Sequence, residues 1–238
     1  MQLTSTRTAA AISAVICLTP GAARADFATA RQAYEVLPIH QQTSAGLALI
    51  ATGDFEGLVE FGFSRRLYRA LRAFERRHGL PVDGILSTRE RRLLAEEANR
   101  FFTEIGTEYE EHPASGARLL VPHKLFDSRK PTADGSIYER ADGAMSLSFI
   151  SFESRQKDYD DLYGAMSASG ADRRIIYTRK FKSHFVVTGM FHGRKFYSWM
   201  SRGKAYTTGF AYSWNDASDA MGRKISTLLA NSFIGGAR

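Results

Sequence analysis

Cysteine is almost absent from this sequence, which has one, Cys17, and none after it. That residue lies in a run of apolar and small residues, Ala9 to Leu18, which is shorter than the roughly 20 residues that a membrane span needs. Arg7 precedes the run, and an Ala-Arg-Ala triplet follows it in the small-x-small pattern of a signal-peptidase site. We therefore predict a secretory signal over residues 1–25.

Cleavage of this signal between Ala25 and Asp26 removes the only thiol of the chain. The mature chain then forms no disulfide, and it has neither a nucleophilic cysteine nor a cysteine metal site. No later stretch is apolar over the length of a membrane span. We therefore expect a periplasmic or secreted protein whose mature form has no membrane span.

The residue sets of the common envelope hydrolases are also missing. The six histidines are dispersed, without the His-x-His or His-Glu-x-x-His spacing of a zinc site. Two Ser-x-x-Lys matches, at Ser154 and Ser201, lack the Lys-Thr-Gly strand that accompanies them in penicillin-recognising enzymes. We predict no catalytic residue, no metal and no cofactor. An unrecognised envelope hydrolase, using the acidic clusters near Glu110 and Asp160, stays open as a minor alternative.

Basic residues outnumber acidic residues, 32 against 25, and much of the excess falls in one segment. Ten arginines lie between Ser64 and Arg100. This concentration favours an anionic partner such as cell-wall carboxylates or lipid head groups, although a solvated helix face is an equal interpretation. Nucleic acid is not expected, because no nucleic-acid-binding motif accompanies the predicted export signal.

The hydrophobic pattern divides the chain into two parts. Residues 26–106 show helical periodicity, with an N-cap at Ser64 and a capping box at Ser87–Glu90. Residues 107–118 have the Glu-rich and Pro-Ala-Ser-Gly composition of a linker. Residues 119–238 alternate as strands around one helix and end in an amphipathic helix. The predicted class is α+β: a small N-terminal three-helix bundle followed by an antiparallel sheet covered by helices.

Residues 40–98 carry a set of turn and core residues with a recognisable spacing. The set is Gly53-Asp54-Phe55-x-Gly57, Phe63, Ala70-Leu71-x-Ala73-Phe74 and Gly79-Leu80-x-Val82-Asp83-Gly84-x-Leu86. It resembles the three-helix peptidoglycan-binding domain, and it departs from that family at Glu75, where Gln is usual. The resemblance implies a helical fold and binding of the cell wall. The predicted ligand contacts are Phe55, Arg65, Tyr68, Arg72, Asp83 and Arg89.

The order of elements after residue 119 is similar to the PsbP-like α/β/α fold, which includes binding and assembly proteins. Aromatic residues crowd the last four predicted strands, and most belong to the core because alternation turns every second one inward. We also predict an aromatic and basic surface, able to stack on sugar or to bind a partner, at Lys195, Tyr197, Trp199 and Arg202.

These patterns together predict an exported, non-enzymatic envelope protein. Its helical module would bind peptidoglycan or another anionic envelope polymer, and its α/β part would bind a ligand or an envelope protein. The alternative hypothesis is a protein-docking and assembly module that does not bind the wall.

Overall fold

The computed structural model describes residues 26–59 and 62–236. The predicted signal over residues 1–25, and with it Ala25 of the cleavage site, lies outside these residues. Asp26, on the other side of the predicted cut, caps the first helix: its carboxylate accepts a hydrogen bond from the Thr29 amide at 2.9 Å. In the described part of the chain, no helix is both long and apolar enough to cross a membrane.

Four helices form the N-terminal part, one more than the three-helix bundle that the sequence predicts. Capping side chains start three of them, because Asp26, Ser64 and Ser87 each accept a hydrogen bond from an amide of the following first turn. The capping box of Ser87 and Glu90 is present as predicted. The helices are α1 (Phe27–Glu35), α2 (Ile39–Thr52), α3 (Arg65–Arg77) and α4 (Thr88–Ile105).

The rest of the described chain is mostly antiparallel sheet. A two-stranded hairpin comes first, followed by a seven-stranded sheet with the order β3-β4-β5-β9-β8-β7-β6. Two helices accompany the sheet, α5 (Tyr159–Ser167) and α6 (Asp219–Ser232). The α+β class is therefore confirmed. The strands are β1 (Thr107–Glu111), β2 (Arg118–Pro122), β3 (Ser128–Thr132), β4 (Gly135–Glu139), β5 (Met145–Glu153), β6 (Arg173–Lys180), β7 (His184–Phe191), β8 (Arg194–Arg202) and β9 (Tyr206–Trp214).

The segment 107–118 is structured, so its prediction as a linker is wrong. Its first five residues form β1, which pairs along its whole length with β2. The turn between them is buried at His112, whose ring nitrogen Nε2 lies 2.9 Å from the Asp134 carbonyl oxygen. Glu110 accepts a hydrogen bond from Tyr138 and pairs with Arg129. Glu110 is thus held by partners on β3 and β4, whereas Glu108 and Glu111 are exposed along the paired strand β1.

The seven-stranded sheet is covered on its two faces by different elements. On one face, here named the helical face, residues such as Phe210 and Tyr212 belong to a core shared with α6 and with helices α1–α4. On the other, here named the α5 face, Phe185 and Met200 pack with residues of α5. Because α2 and β9 both pack on α6, the helical part and the seven-stranded sheet share one continuous core.

Candidate functional site

A cleft of about 380 Å³ lies between the helical part and the outer strands of the sheet. One wall consists of Phe55, Gly57 and Leu58 in the loop after α2, together with Ser64 and Arg66 at the start of α3. The other wall is the helical face of β6–β8, where strand alternation brings side chains two residues apart onto the same surface. The cleft is named the aromatic cleft below.

Three rings are stacked in the sheet wall of the aromatic cleft. The His184 ring lies 4.1 Å from the Trp199 ring with an interplanar angle of 10°. The Phe181 ring lies 4.5 Å from the other side of His184. Trp199 is only 6% exposed at the base of this column, whereas Tyr177 beside it is 49% exposed. These three rings cover one another's faces, and the Arg179 guanidinium lies over the Phe181 ring, so Tyr177 is the most exposed ring of the wall and the one able to stack on another flat surface.

Two arginines give the aromatic cleft a positive charge. Arg66 projects from α3, and the Arg179 guanidinium lies 4.6 Å from the centre of the Phe181 ring. Within residues 26–59 and 62–236, no carboxylate lines the cleft or lies within 4 Å of either guanidinium. An anionic group on a bound molecule would therefore face two cations whose charge is not already neutralised.

The structure separates the residues predicted as ligand contacts in the helical part. Phe55 is buried and lines the aromatic cleft, and Arg89 is exposed on the first turn of α4. The remaining four, Arg65, Tyr68, Arg72 and Asp83, lie elsewhere. Helix α1 packs against α3 and covers part of its surface.

The cover that α1 supplies is aromatic. Phe27 packs edge-on against the Tyr68 ring at 5.5 Å, and the Arg65 guanidinium lies 4.9 Å from the Phe27 ring. Arg72 in turn lies 5.4 Å from the Tyr68 ring. Asp83 accepts a hydrogen bond from the Ile85 amide within its own turn. Arg65 and Tyr68 thus contact α1 through Phe27, whereas Arg72 and Asp83 are held by contacts within α3 and within the turn.

The predicted surface on β8 is divided between the two faces of the sheet. Lys195, Tyr197 and Trp199 are separated by steps of two residues and share the helical face, whereas Arg202 is an odd number of residues away and points to α5. The Lys195 amine is held by Asp216 at 3.0 Å and by Asp219 at 2.9 Å. The four residues therefore form no common surface, and only Tyr197 and Trp199 line the aromatic cleft.

Several cleft residues were not predicted from the sequence. Tyr177 and Arg179 lie on one face of the edge strand β6, Phe181 follows directly after its end, and Arg66 faces them from α3. The aromatic-basic-aromatic alternation is a signal that was visible in the sequence. The approach of α3 is a long-range contact, which no local pattern contains.

A second groove, of about 410 Å³, runs between α2 and α4. Its floor is formed by small and aliphatic residues, including Ala48 and Leu94. On its rim, the Arg91 guanidinium already donates to the Leu86 carbonyl at 2.7 Å and to the Thr88 hydroxyl. The groove offers no aromatic face, so it provides fewer means of recognition than the aromatic cleft.

One buried carboxyl lies behind the turn that contains Asp83. Glu75 is fully buried, and its Oε2 accepts a hydrogen bond from the Gly84 amide at 2.9 Å. Burial raises the pKa of Glu75 to about 7, and the negative charges of Asp83 and Glu90 add to this effect. The carboxyl supports the turn and is closed off from any ligand.

Comparison with known proteins adds little to this geometry. No family model and no curated protein matches the chain, and in residues 26–59 and 62–236 no three His, Asp or Glu side chains are grouped to hold a metal ion. The solution structure of cyanobacterial PsbP (CyanoP) from Synechocystis sp. PCC 6803 matches with a TM-score of 0.43 and 14% identity, over 54% of this chain and 92% of that chain. The match is one of partial fold similarity, and nothing about ligand or partner follows from it.

Proposed function

We propose that the chain is an exported, non-enzymatic protein of the cell envelope that binds peptidoglycan, with a sugar and its acidic substituents held in the aromatic cleft. The observation that carries this proposal is the exposed Tyr177 ring beside the stacked Phe181, His184 and Trp199, next to two arginines that no described carboxylate neutralises. The helical part, whose residues resemble a peptidoglycan-binding domain, supplies the opposite wall of the same cleft.

Peptidoglycan carries both kinds of group that the aromatic cleft can bind, an apolar ring face and an anionic group. Each pyranose ring has an apolar face of C–H groups that can lie flat on an aromatic ring, and the stem peptides carry free carboxylates. Arg66 and Arg179 lie where they can pair with such carboxylates, and a guanidinium can do so with two parallel hydrogen bonds. A cleft of about 380 Å³ falls at the lower end of the range for small-molecule sites, about 300–1,000 Å³. It suits a short muropeptide unit.

The contributions of ring stacking and of charge to binding can be separated by measuring how binding depends on salt concentration. Charge attraction between exposed groups is screened over about 8–10 Å at physiological ionic strength, whereas ring stacking is hardly affected by salt. Retention on purified sacculi should therefore weaken at high salt but not disappear. Loss of one stacking ring should lower the affinity about three- to tenfold, as the energies of aromatic pairs imply.

The test is cosedimentation of chain 26–238 with purified sacculi at low and high salt. The variants are Tyr177→Ala and Phe181→Ala for stacking and Arg179→Gln for charge, with Tyr109→Ala as an exposed aromatic control outside the cleft. The whole mature chain is used, because α2 packs on α6 and separated halves would expose core residues. We expect the stacking variants to lose retention at both salts and Arg179→Gln to lose it mainly at low salt.

Three outcomes would contradict the proposal. Equal retention of the Tyr177 and control variants would exclude the aromatic cleft as the site. Retention of the wild type at low salt only would reduce the interaction to arginine electrostatics. Release of soluble muropeptides by the pure protein would show an enzyme.

A protein-docking role remains the second candidate, and one observation favours it. Strand β6 is an edge of the sheet, and two adjacent apolar side chains on it, Ile176 and Tyr177, are 62% and 49% exposed. Exposed edge strands are common sites of protein pairing. Capture of a defined envelope protein, together with no affinity for sacculi, would support this role and contradict wall binding.

A further inference from the structure

The α5 face of the sheet contains a pocket of about 530 Å³ that the aromatic cleft does not share. Its floor exists because small side chains replace large ones along three neighbouring strands. On β5, Ser146 and Ser148 precede Ile150 on the same face, and on β8, Ser198 lies between Phe196 and Met200. Small residues alone would leave only a shallow depression. The side chains of the walls therefore determine which kind of molecule the pocket can bind.

Two arginines with incomplete hydrogen bonding form the polar wall of this pocket. Arg194 donates through Nη2 to the Ser213 hydroxyl at 3.0 Å, and Arg173 donates through Nη2 to the Met166 carbonyl oxygen. The Nε atoms of both arginines are buried and have no hydrogen-bond partner in the described part of the protein. Both guanidinium groups thus keep donor capacity beyond the bonds that the chain itself supplies.

No negative charge of the protein balances these two cations. Among the described residues, no carboxylate lines the pocket, and none lies within 4 Å of Arg173 or Arg194. The other ionisable side chains that line it are His192, which lies 3.9 Å from the exposed Asp172, and Tyr212, whose pKa burial raises above its usual value. Arginines that are withdrawn from water are usually paired, because removing a charge from water without a counter-charge is costly. An anion bound in the pocket would supply that counter-charge.

The remaining wall is apolar. Met166 at the end of α5, Phe191 at the end of β7 and Phe196 on β8 line it, and the Arg173 guanidinium lies 5.0 Å from the Phe196 ring. Phe191 is half exposed at the mouth. A molecule that satisfies both walls needs a negative group at one end and an apolar body at the other.

We propose that this pocket binds a small organic acid, a carboxylate on an apolar chain or ring. The carboxylate pairs with the guanidinium groups of Arg173 and Arg194 and accepts hydrogen bonds from the serine hydroxyls of the floor. The apolar body packs on Met166, Phe191 and Phe196. This site lies on the opposite face of the sheet from the aromatic cleft, so it does not depend on wall binding.

The test is calorimetric titration of chain 26–238 with sodium octanoate as the probe. Octylamine has the same apolar body with the opposite charge, and inorganic phosphate is an anion without an apolar body. We expect saturable 1:1 binding of octanoate, with octylamine and phosphate at least tenfold weaker. Octanoate binding no tighter than that of octylamine, or phosphate binding as tight as octanoate, would overturn the proposal.

Matched variants localise the binding. Arg173→Gln and Arg194→Gln should each weaken octanoate at least tenfold, whereas Arg155→Gln, at an exposed arginine outside the pocket, should leave it unchanged. Ser148→Leu fills the floor and should abolish binding with both arginines still in place, while Ser128→Leu on the exposed strand β3 should not. Thermal unfolding checks that each variant is folded.

The floor variant keeps the proposal testable if an arginine variant does not fold. Octanoate binding that survives Ser148→Leu would overturn the assignment, because the pocket would then be filled. Binding that is lost in Tyr177→Ala would also overturn it, since that would place the octanoate in the aromatic cleft.

Discussion

Replacing Glu75 by glutamine changes one charge inside the helical part and leaves its shape nearly intact. The carboxyl is fully buried on α3, where Oε2 accepts the Gly84 amide and Oε1 has no partner among the described residues. Burial, and then the nearby charges of Asp83 and Glu90, raise the pKa of Glu75 from 4.5 to about 7. A glutamine amide has the same size, and its carbonyl oxygen can accept the same hydrogen bond without ever ionising.

The magnitude follows from the difference between the folded and unfolded pKa values. Below about pH 4.5 the Glu75 carboxyl is protonated in both the folded and the unfolded state, so its contribution to the stability of the folded protein is fully present. Between about pH 4.5 and 7 the unfolded chain loses its proton first, and the stability is lost as pH rises through the folded pKa. The folded pKa of about 7 lies about 2.5 above the ordinary value of 4.5. At about 1.36 kcal/mol for each pKa unit, the folded protein therefore loses about 3 kcal/mol of stability above pH 7.

Urea unfolding of the wild type and Glu75→Gln between pH 4 and 8.5 measures this effect. The free energies of unfolding should be similar at pH 4, and the variant should become more stable by about 2–3 kcal/mol at pH 8. Taking the difference between the two proteins removes the titration of the other groups. Glu96→Gln, at an exposed carboxylate of α4, is the control and should stay within about 0.5 kcal/mol of the wild type throughout. A difference for Glu75→Gln that is constant with pH, or a variant less stable at pH 8, would refute the reasoning.

Three further substitutions test the packing that supports the aromatic cleft. The Asn231 side chain bonds Gly57–Val59 to α6, so Asn231→Ala should cost about 1–3 kcal/mol in urea unfolding and also weaken sacculus retention. Gly222→Ala on α6 would place a methyl group 2.2 Å from the Trp214 ring, and a loss of about 1–3 kcal/mol should appear as a lower Tm. Ser87→Ala removes the cap of α4 and should cost about 1 kcal/mol by the same measurement. Unchanged stability in any of the three variants would contradict the hydrogen bond or the close packing that the substitution tests.

Local patterns predicted most helices and strands of this chain because their causes are local. The capping box at Ser87 favours the start of a helix through contacts within its own first turn, independently of the tertiary structure. Alternation of apolar and polar residues predicts strands such as β7 and β9 within a few residues of their bounds. Strand β3 was missed, since all five of its side chains are exposed and it contains Pro131. An edge strand of this kind has no alternation to reveal it. The segment 107–118 escaped prediction for a related reason: β1 is held by its pairing with β2 and by the contacts of Glu110 with Arg129 and Tyr138, all of which follow it in the chain.

The candidate site was less predictable than the fold. The packing of the helical part on the sheet brings together Phe55, Arg66 and Trp199. No local sequence pattern around any of these residues predicts that long-range contact. The division of the predicted surface on β8 is different, because face alternation alone separates Arg202 from Lys195. Residues of matching chemistry on one strand form a common surface only when an even number of positions separates them.

The same alternation makes the two proposed sites independent. Strand β8 contributes Tyr197 and Trp199 to the aromatic cleft and Phe196 and Ser198 to the pocket on the α5 face. A substitution at one of these positions changes one face of the sheet and leaves the other lining in place. Filling the pocket with Ser148→Leu should therefore leave retention on sacculi unchanged, and removing the Tyr177 ring should leave octanoate affinity unchanged. Loss of octanoate binding in a folded Tyr177→Ala variant would place the octanoate in the aromatic cleft, and loss of sacculus retention in a folded Ser148→Leu variant would contradict the separation of the two faces.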